Sequence, residues 1–482
     1  MEKILITLLF LFPVSISVAQ ISVIGNWEGT LEAGQGLHAV FHITEEGGKL
    51  SATFDSPDQK AFGIACSGVE VKNDSLSIGI AAAHGIYKGK IIDTGNIKGN
   101  WSQGGMEFTL NLKKTHNVAE APKMSRAPEP PKRPQTPKPP FDYLSEDVIY
   151  KNADGTQQFG ATITTPKGAG PFPAVLLITG SGLQNRDEEV FGHKPFAVIA
   201  DYLTKKGYMV MRVDDRTMGQ STGDVMKATT ADFAGDVEVS FDYLKNYKGV
   251  DKHKMGLLGH SEGGAIAEMV AAKRRDVDFI ILLAGPGVKG ADGLAEQNEA
   301  IFLNAGIDSQ DIKLYMPFYK EMTHIAMTAK DSSDFREQFL KAFAVWKSKT
   351  PAKTVSLFTG ITLEPAAETN YVNVVVKQFT LPWIVYFLKY DPKPYLEKIS
   401  CKVLALDGDR DVQVISKSNL KGIHDGLAKS RSKKFDTIEL KGLNHLFQDC
   451  KTCTVQEYEQ LEETMSPNAL LTLSAWMDEN VK

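Results

Sequence analysis

Residues 259–263 read Gly-His-Ser-Glu-Gly, with the apolar run 255–258 before them and the alanine-rich stretch 265–273 after. A serine hydroxyl is a weak nucleophile until a neighbouring base takes its proton and a third group orients that base. The Gly-x-Ser-x-Gly spacing puts the serine on a sharp turn between a strand and a helix, where small neighbours let the two elements close up. The alternative is a plain helix N-cap, which also favours serine and glycine. Ser261 therefore reads as a nucleophile only if an acid and a histidine follow it in the chain.

Both follow. Beyond residue 390 the histidines are His424 and His445. His424 lies in SKSNLKGIHDGLAK, an amphipathic helical pattern in which a solvated histidine is expected. His445 lies in KGLNHLFQ, just past a strand-like run, and is the expected base. The segment LALDGDRDVQV offers Asp407, Asp409 and Asp411 as acids. Asp411, one turn of loop beyond the strand end, is the favoured partner of the histidine, with Asp407 as the alternative. A developing oxyanion needs two backbone N–H donors. One is expected from Glu262, the residue after the nucleophile. The other should come from TGSGLQNRDEE (179–189), with Ser181 first and Gly182 or Leu183 next. Arg186 and Arg216 flank this site and are expected to lock loops by ion pairs rather than to clamp substrate.

These residues need a scaffold, and the pattern from about residue 141 supplies one. Apolar runs at 173–179, 207–213, 255–259, 279–284, 402–407 and 435–440 alternate with helical stretches near 194–206, 229–247, 263–273 and 467–480. That rhythm predicts a mostly parallel sheet covered on both faces. Residues 290–390 interrupt it with helical, aromatic-rich sequence and read as an inserted cap. The α/β domain is thus expected at 141–289 and 391–482. Residues 118–140 include APKMSRAPEPPKRPQTPKPP and are expected to be an extended, solvated linker. Residues 20–117 carry short alternating runs separated by turns and predict a small all-β domain. Its repeated Gly-Asn-Trp elements place Trp27 and Trp101 either in the core or on a binding surface, the core being preferred.

The chain has 482 residues and a formal net charge of −5, with no long basic run, so nucleic acid is not an expected partner. Its first 19 residues combine Lys3, an apolar stretch and Ser17-Val18-Ala19, the form of a cleaved export signal. The expected location is periplasmic or secreted, with no membrane span. Four cysteines exclude a disulfide-built scaffold. Cys450 and Cys453 form a lone Cys-x-x-Cys, read as a loop disulfide or spectator thiols rather than a metal site.

The motifs LITGSGLQNRDE, DDRTMGQSTG, GHSEGG, LKYDPKPYLEKISCKVLALDGDRDVQV and GLNHLFQ together resemble a bacterial α/β-hydrolase family of secreted esterases. That family spans serine-hydrolase, dienelactone-hydrolase-like and acyl-esterase groups. The resemblance covers about 143–480 and leaves the N-terminal module outside. It implies an α/β-hydrolase fold with a helical cap, and Ser261, Asp411 and His445 as the triad. The sequence departs from the pattern at Thr179, where many relatives of the fold carry histidine. The expected activity is hydrolysis of a small-molecule or glycan-linked carboxylic ester, with no metal or organic cofactor. A serine peptidase of the same fold is the alternative, as is a polymer-binding protein dominated by its β domain.

Overall fold

The structure is a computed structural model that describes residues 22–33, 35–59, 61–72, 74–80, 85–103, 106–115, 131–361 and 367–482. The export-signal reading falls on residues 1–19, outside the described set, as does the linker reading over 118–130. The chain divides into two compact units, Met1–Pro128 and Glu129–Lys482.

The first unit is all β. Its strands are β1 (Gly25–Ala33), β2 (Gln35–Glu46), β3 (Lys49–Ser56), β4 (Ala61–Ala65), β5 (Gly68–Lys72), β6 (Ser75–Ile80), β7 (Gly85–Asp93), β8 (Asn96–Gln103), β9 (Met106–Thr109) and β10 (Leu112–Thr115). All pairings are antiparallel, in the order β4-β3-β2-β1-β10-β8-β7-β6-β5, with β9 on β8. Strand β7 alternates strictly, its Tyr87, Gly89 and Ile91 inward and its Lys88 and Lys90 outward, as a half-solvated strand should. The sheet curls enough to bring β5 near β3. Trp27, Phe41, Phe54, Tyr87 and Trp101 fill its interior. Both tryptophans are therefore core residues and offer no exposed aromatic platform.

The second unit is built on an eight-stranded sheet: β11 (Leu144–Lys151), β12 (Gln158–Thr165), β13 (Phe172–Ile178), β14 (Met209–Val213), β15 (Val250–His260), β16 (Phe279–Leu283), β17 (Lys402–Gly408) and β18 (Phe435–Leu440). The order is β11-β12-β14-β13-β15-β16-β17-β18. β12 runs antiparallel to both its neighbours, and the strands from β14 to β18 are parallel. The edge pair β11 and β12 was not foreseen. Most of the β11 positions are exposed, and apolar continuity is the signal by which the buried parallel strands were read.

Side chains of successive strand residues go to opposite faces. Ala174, Leu176 and Ile178 of β13 pack with α2 (Thr230–Lys245), α3 (Glu262–Lys273), α10 (Lys393–Leu396) and α11 (Ser416–Leu427). Val175 and Leu177 pack with α1 (Pro195–Lys205) and α12 (Pro467–Asn480). Between β16 and β17 the chain leaves the sheet as α4 (Gly290–Asn304), α5 (Ser309–Thr328), α6 (Ser332–Lys349), α7 (Ala352–Thr359), α8 (Ala367–Phe379) and α9 (Pro382–Lys389). This insertion has its own aromatic core, centred on Phe318, Phe335, Phe339, Phe343 and Trp346. Its two ends meet, because Gly290 N donates to Tyr390 O at 2.9 Å. No single helix among the described residues is long and apolar enough to cross a membrane.

Residues 131–140 differ from the solvated linker expected of them. Arg133 donates to the carbonyls of Leu461 (2.7 Å), Glu459 (2.7 Å) and Phe191 (2.9 Å). Gln135 donates to Met465 O and accepts from Thr464 N, both within 2.7 Å. Proline removes backbone donors and helical structure, but it leaves side chains free to bind carbonyls elsewhere, and two of them do.

Candidate active site

Strand β15 ends at His260 and α3 begins at Glu262, leaving Ser261 alone at the turn with φ 54° and ψ −121°. A non-glycine residue in that region costs about 1–3 kcal/mol and persists only where its surroundings hold it. The hold is visible. Ser261 N donates to Leu283 O of β16 at 2.9 Å, and Gly264 N donates to Ser261 O at 2.9 Å. The flanking glycines are required by contact: a Cβ on Gly259 would sit 2.0 Å from Gly263 O, and one on Gly263 would sit 2.2 Å from Ile178 O. The serine side chain makes no capping bond to the helix it precedes.

His445 and Asp411 come together. His445 Nδ1 and Asp411 Oδ2 are 2.6 Å apart, and both residues are buried. The other Asp411 oxygen accepts from Gln413 N (2.6 Å) and Val414 N (2.9 Å), which fixes the carboxylate on its loop. With Nδ1 engaged, Nε2 is the histidine nitrogen left to receive a proton. The two remaining aspartates do other work. Asp409 accepts from Gly442 N at 2.7 Å and pairs with Lys441, joining its loop to the one that leads to His445. Asp407 is buried at the end of β17 and faces Asp411. Burial, followed by the Asp411 charge, raises its carboxyl well above the ordinary range and favours its neutral form. His424 lies half-exposed on α11 beside Asp425.

The loop after β13 reaches Ser261. A Cβ on Gly180 would lie 3.2 Å from Ser261 Cβ, so the loop backbone passes directly over the serine. Gly180 N is committed to Glu188 Oε1 at 2.7 Å. The N–H groups of Ser181, Gly182 and Leu183 meet no acceptor among the described residues. Glu262 is the first residue of α3, and its N–H has no intrahelical acceptor. Ser181, Gly182 and Glu262 thus bring uncommitted donors, or the backbone carrying them, to the serine's side of the sheet.

Buried carboxyls shape this loop. Asp215 accepts from Thr179 Oγ1 (2.7 Å) and Gln184 N (2.8 Å), and burial pushes it up to about 7. Thr179, the departure from the family pattern, therefore works as a hydroxyl donor that anchors the start of the loop. Arg186 pairs with Asp214 at 2.6 Å, and Arg216 with Asp236 at 2.6 Å, so both arginines are spent on structure. Behind the loop lies a cavity of about 60 Å³ lined by Phe159, Phe233, Ile266, Leu183, Asp215 and Glu262. The insertion between β16 and β17 also reaches Glu262. Trp383 Nε1 of α9 and Thr230 Oγ1 of α2 donate to Glu262 Oε1 at 2.8 and 2.6 Å. The Ser181 side chain also bonds this carboxyl, which burial raises above its usual range.

Sequence reasoning missed Glu188, His260, Asp215 and Trp383. His260 stood inside the quoted motif, and Glu188 and Asp215 stood in quoted loops. Their signal was a titratable residue type in a segment otherwise read for its glycines. Cys450 and Cys453 form a disulfide, and Glu457 beside them accepts from the N–H groups of Lys451, Thr452 and Cys453. The trio's ligand atoms are consumed by those bonds, so it does not fit a metal ion.

A parallel sheet with one antiparallel strand near its edge, a serine elbow at the end of β15 and a histidine–carboxylate pair on later loops give the second unit the architecture of the α/β-hydrolase fold. Residues 194–319 match the model of the Hydrolase_4 family, described as serine aminopeptidase, S33. Among curated proteins, esterase EstD of Thermotoga maritima is 35% identical over 124 residues, which are 26% of this chain and 29% of that protein. The chain thus spans under a third of that relative's length. Among solved structures, Est1E of Butyrivibrio proteoclasticus with bound ferulic acid aligns at 16% identity and a TM-score of 0.39, covering 69% of this chain and 99% of that one. The esterase Pf2001 of Pyrococcus furiosus aligns at 12% identity and a TM-score of 0.41, covering 70% and 92%.

Proposed function

We propose that this protein is a serine hydrolase that cleaves carboxylic esters through Ser261, His445 and Asp411. The observation that carries this reading is the 2.6 Å contact between His445 Nδ1 and Asp411 Oδ2, with the His445 ring 4.7 Å, centroid to centroid, from that of His260, the neighbour in sequence of a serine held at positive φ. His445 takes the hydroxyl proton as Ser261 Oγ attacks the ester carbonyl carbon. The carbonyl oxygen becomes an oxyanion, received by the N–H of Glu262 and by that of Ser181 or Gly182. The tetrahedral intermediate collapses, and the alcohol leaves with the proton from His445. Water then repeats the cycle on the acyl-enzyme, releasing the acid and restoring Ser261. Asp411 stabilises the imidazolium and keeps the ring in the productive tautomer.

Amide cleavage is the second reading, favoured by the description of the matched family. An aminopeptidase needs a free carboxylate for the substrate's ammonium group. Glu262 is the acid nearest the serine in sequence, and its carboxyl is occupied by Thr230, Trp383 and Ser181 and driven toward its neutral form. Esters, of small molecules or glycans, are therefore the leading substrates. The proposed location is outside the cytoplasm. The export-type N-terminus supports it, as does a disulfide, which persists in oxidising compartments.

The test is a panel of p-nitrophenyl esters from acetate to palmitate, run beside aminoacyl p-nitroanilides with wild type and Ser261→Ala. Ester turnover is expected, unaffected by EDTA. Ser261→Ala is expected to fall below about one thousandth of wild type. Retained turnover above that level sinks the nucleophile, and a preference for the anilides selects the peptidase reading.

A further inference from the structure

Next to the nucleophile lies a second histidine–carboxylate pair that the proposed triad does not use. His260 is the last residue of β15 and is buried. Its Nδ1 is 3.0 Å from Glu188 Oε1, and its Nε2 is 3.0 Å from the carbonyl oxygen of His445. A carbonyl oxygen can only accept, so Nε2 carries a proton. Glu188 Oε1 also accepts from Gly180 N at 2.7 Å, so a second proton on Nδ1 would make that oxygen a double acceptor bridging the loop and the ring. The His260 ring packs 4.7 Å from the His445 ring, centroid to centroid.

We propose that His260 is a positioning residue that works as an imidazolium, which together with Glu188 bolts the oxyanion loop and the His445 loop to the nucleophile's own strand. This rests on the Ser261–His445–Asp411 reading above.

Three segments far apart in sequence meet at this pair. Glu188, at φ 51°, belongs to the donor loop and grips Gly180, the residue that passes over Ser261. His260 adjoins Ser261 covalently. The carbonyl of His445 is held by His260, which fixes the backbone of the proposed base at that point. The groups facing His260 are Glu188 on one side and His445 on the other, with Asp411 acting at longer range and Phe447 as an apolar neighbour. Burial is the largest influence and opposes the charge on His260, but the Glu188 carboxyl, the His445 carbonyl and the Asp411 charge together outweigh it, and the ring is shifted above the ordinary imidazole range. His193, also buried, shows the contrast. Lacking a carboxylate partner, it is pushed down to about 4 by burial and stays neutral.

The charge has a kinetic consequence. During catalysis His445 becomes an imidazolium facing Asp411, which favours it, and His260, which repels it. Removing the His260 charge relieves that repulsion and makes protonation of the base easier. The low-pH limb of kcat/KM then moves to higher pH. A purely structural residue would lower the rate equally at every pH.

The experiment uses the full chain. With ¹⁵N-labelled histidine, one ring is expected to show two protonated nitrogens at pH 8, and that signal is expected to vanish in His260→Gln. A neutral ring in wild type at pH 7–8 overturns the proposal without any variant having to fold. In His260→Gln and Glu188→Gln the low-pH limb is expected to rise by about one pH unit, with about a 10²-fold loss at neutral pH. A uniform loss with an unmoved limb also overturns it. If instead wild type turns over no ester and a fluorophosphonate leaves Ser261 unlabelled, the triad reading fails, while the ¹⁵N result still reports on His260 alone.

Discussion

Asp407 and Asp411 stand four residues apart, yet their surroundings differ. Asp411 receives two backbone N–H groups and the His445 ring. Asp407 is buried, receives one backbone N–H from Gly408, and is pushed toward its neutral form by burial and then by the Asp411 charge. Replacing each by asparagine therefore asks different things. Asp411→Asn favours the wrong imidazole tautomer and is expected to cost about 10⁴ in kcat. Asp407→Asn substitutes one neutral hydrogen-bonding group for another and is expected to cost less than about tenfold. Steady-state assays at saturating ester, with melting curves to confirm folding, separate the two, and a reversed order of severity would exchange their roles. The sequence could rank these aspartates by distance from the strand end. It could not reveal which one meets backbone donors, because that depends on how the loop turns back after Arg410. His260 was hidden for a related reason: a residue type says nothing of its partners until segments 72 and 185 residues away arrive beside it.

At the scale of elements, the parallel strands and their covering helices were legible because each strand from β13 to β17 is buried on both faces and reads as an apolar run. The edge pair β11 and β12 lacked that signature. Within MEFTLNL (106–112) the alternating pattern runs on, yet the structure breaks it, β9 ending at Thr109 and β10 starting at Leu112. Alternation persists across such a break, so pattern alone does not mark it. Residues 131–140 give the clearest element-scale prediction. Arg133 and Gln135 together donate to four carbonyls of segments 191 and 459–465. Each such bond is worth about 1 kcal/mol net. A fragment starting at Glu129 is therefore expected to melt several degrees above one starting at Phe141, by differential scanning calorimetry on the two. Equal melting temperatures would mean that these bonds are idle.

Over the whole molecule, buried carboxyls set the pH at which the fold is most secure. Burial raises Asp215 to about 7 and drives Glu262, Glu268 and Asp407 upward as well. A carboxyl raised on folding contributes stability that is fully present below its unfolded value near 4. That contribution fades as pH climbs through the folded value. For Asp215 the window runs from about pH 4 to about pH 7. The protein is expected to melt at a higher temperature at pH 5 than at pH 8, and Asp215→Asn should flatten the slope across that window. A melting temperature that climbs steadily from pH 5 to pH 8 would contradict this. The meeting of Gly290 and Tyr390 has a different consequence. Because those ends are one hydrogen bond apart, the hydrolase chain follows the same path whether a hundred-residue excursion or a tight turn joins them. Closing a longer loop between fixed ends costs only logarithmically more entropy. The cap is in that sense a graft, open to exchange by recombination at two adjoining points without re-registering a strand. The graft carries one fixed demand at its base, since a Cβ on Gly290 would collide with Phe387 O at 1.8 Å. Its contact with α3, where Trp383 reaches Glu262, is where substrate preference is expected to drift while the scaffold of the proposed triad stays as it is.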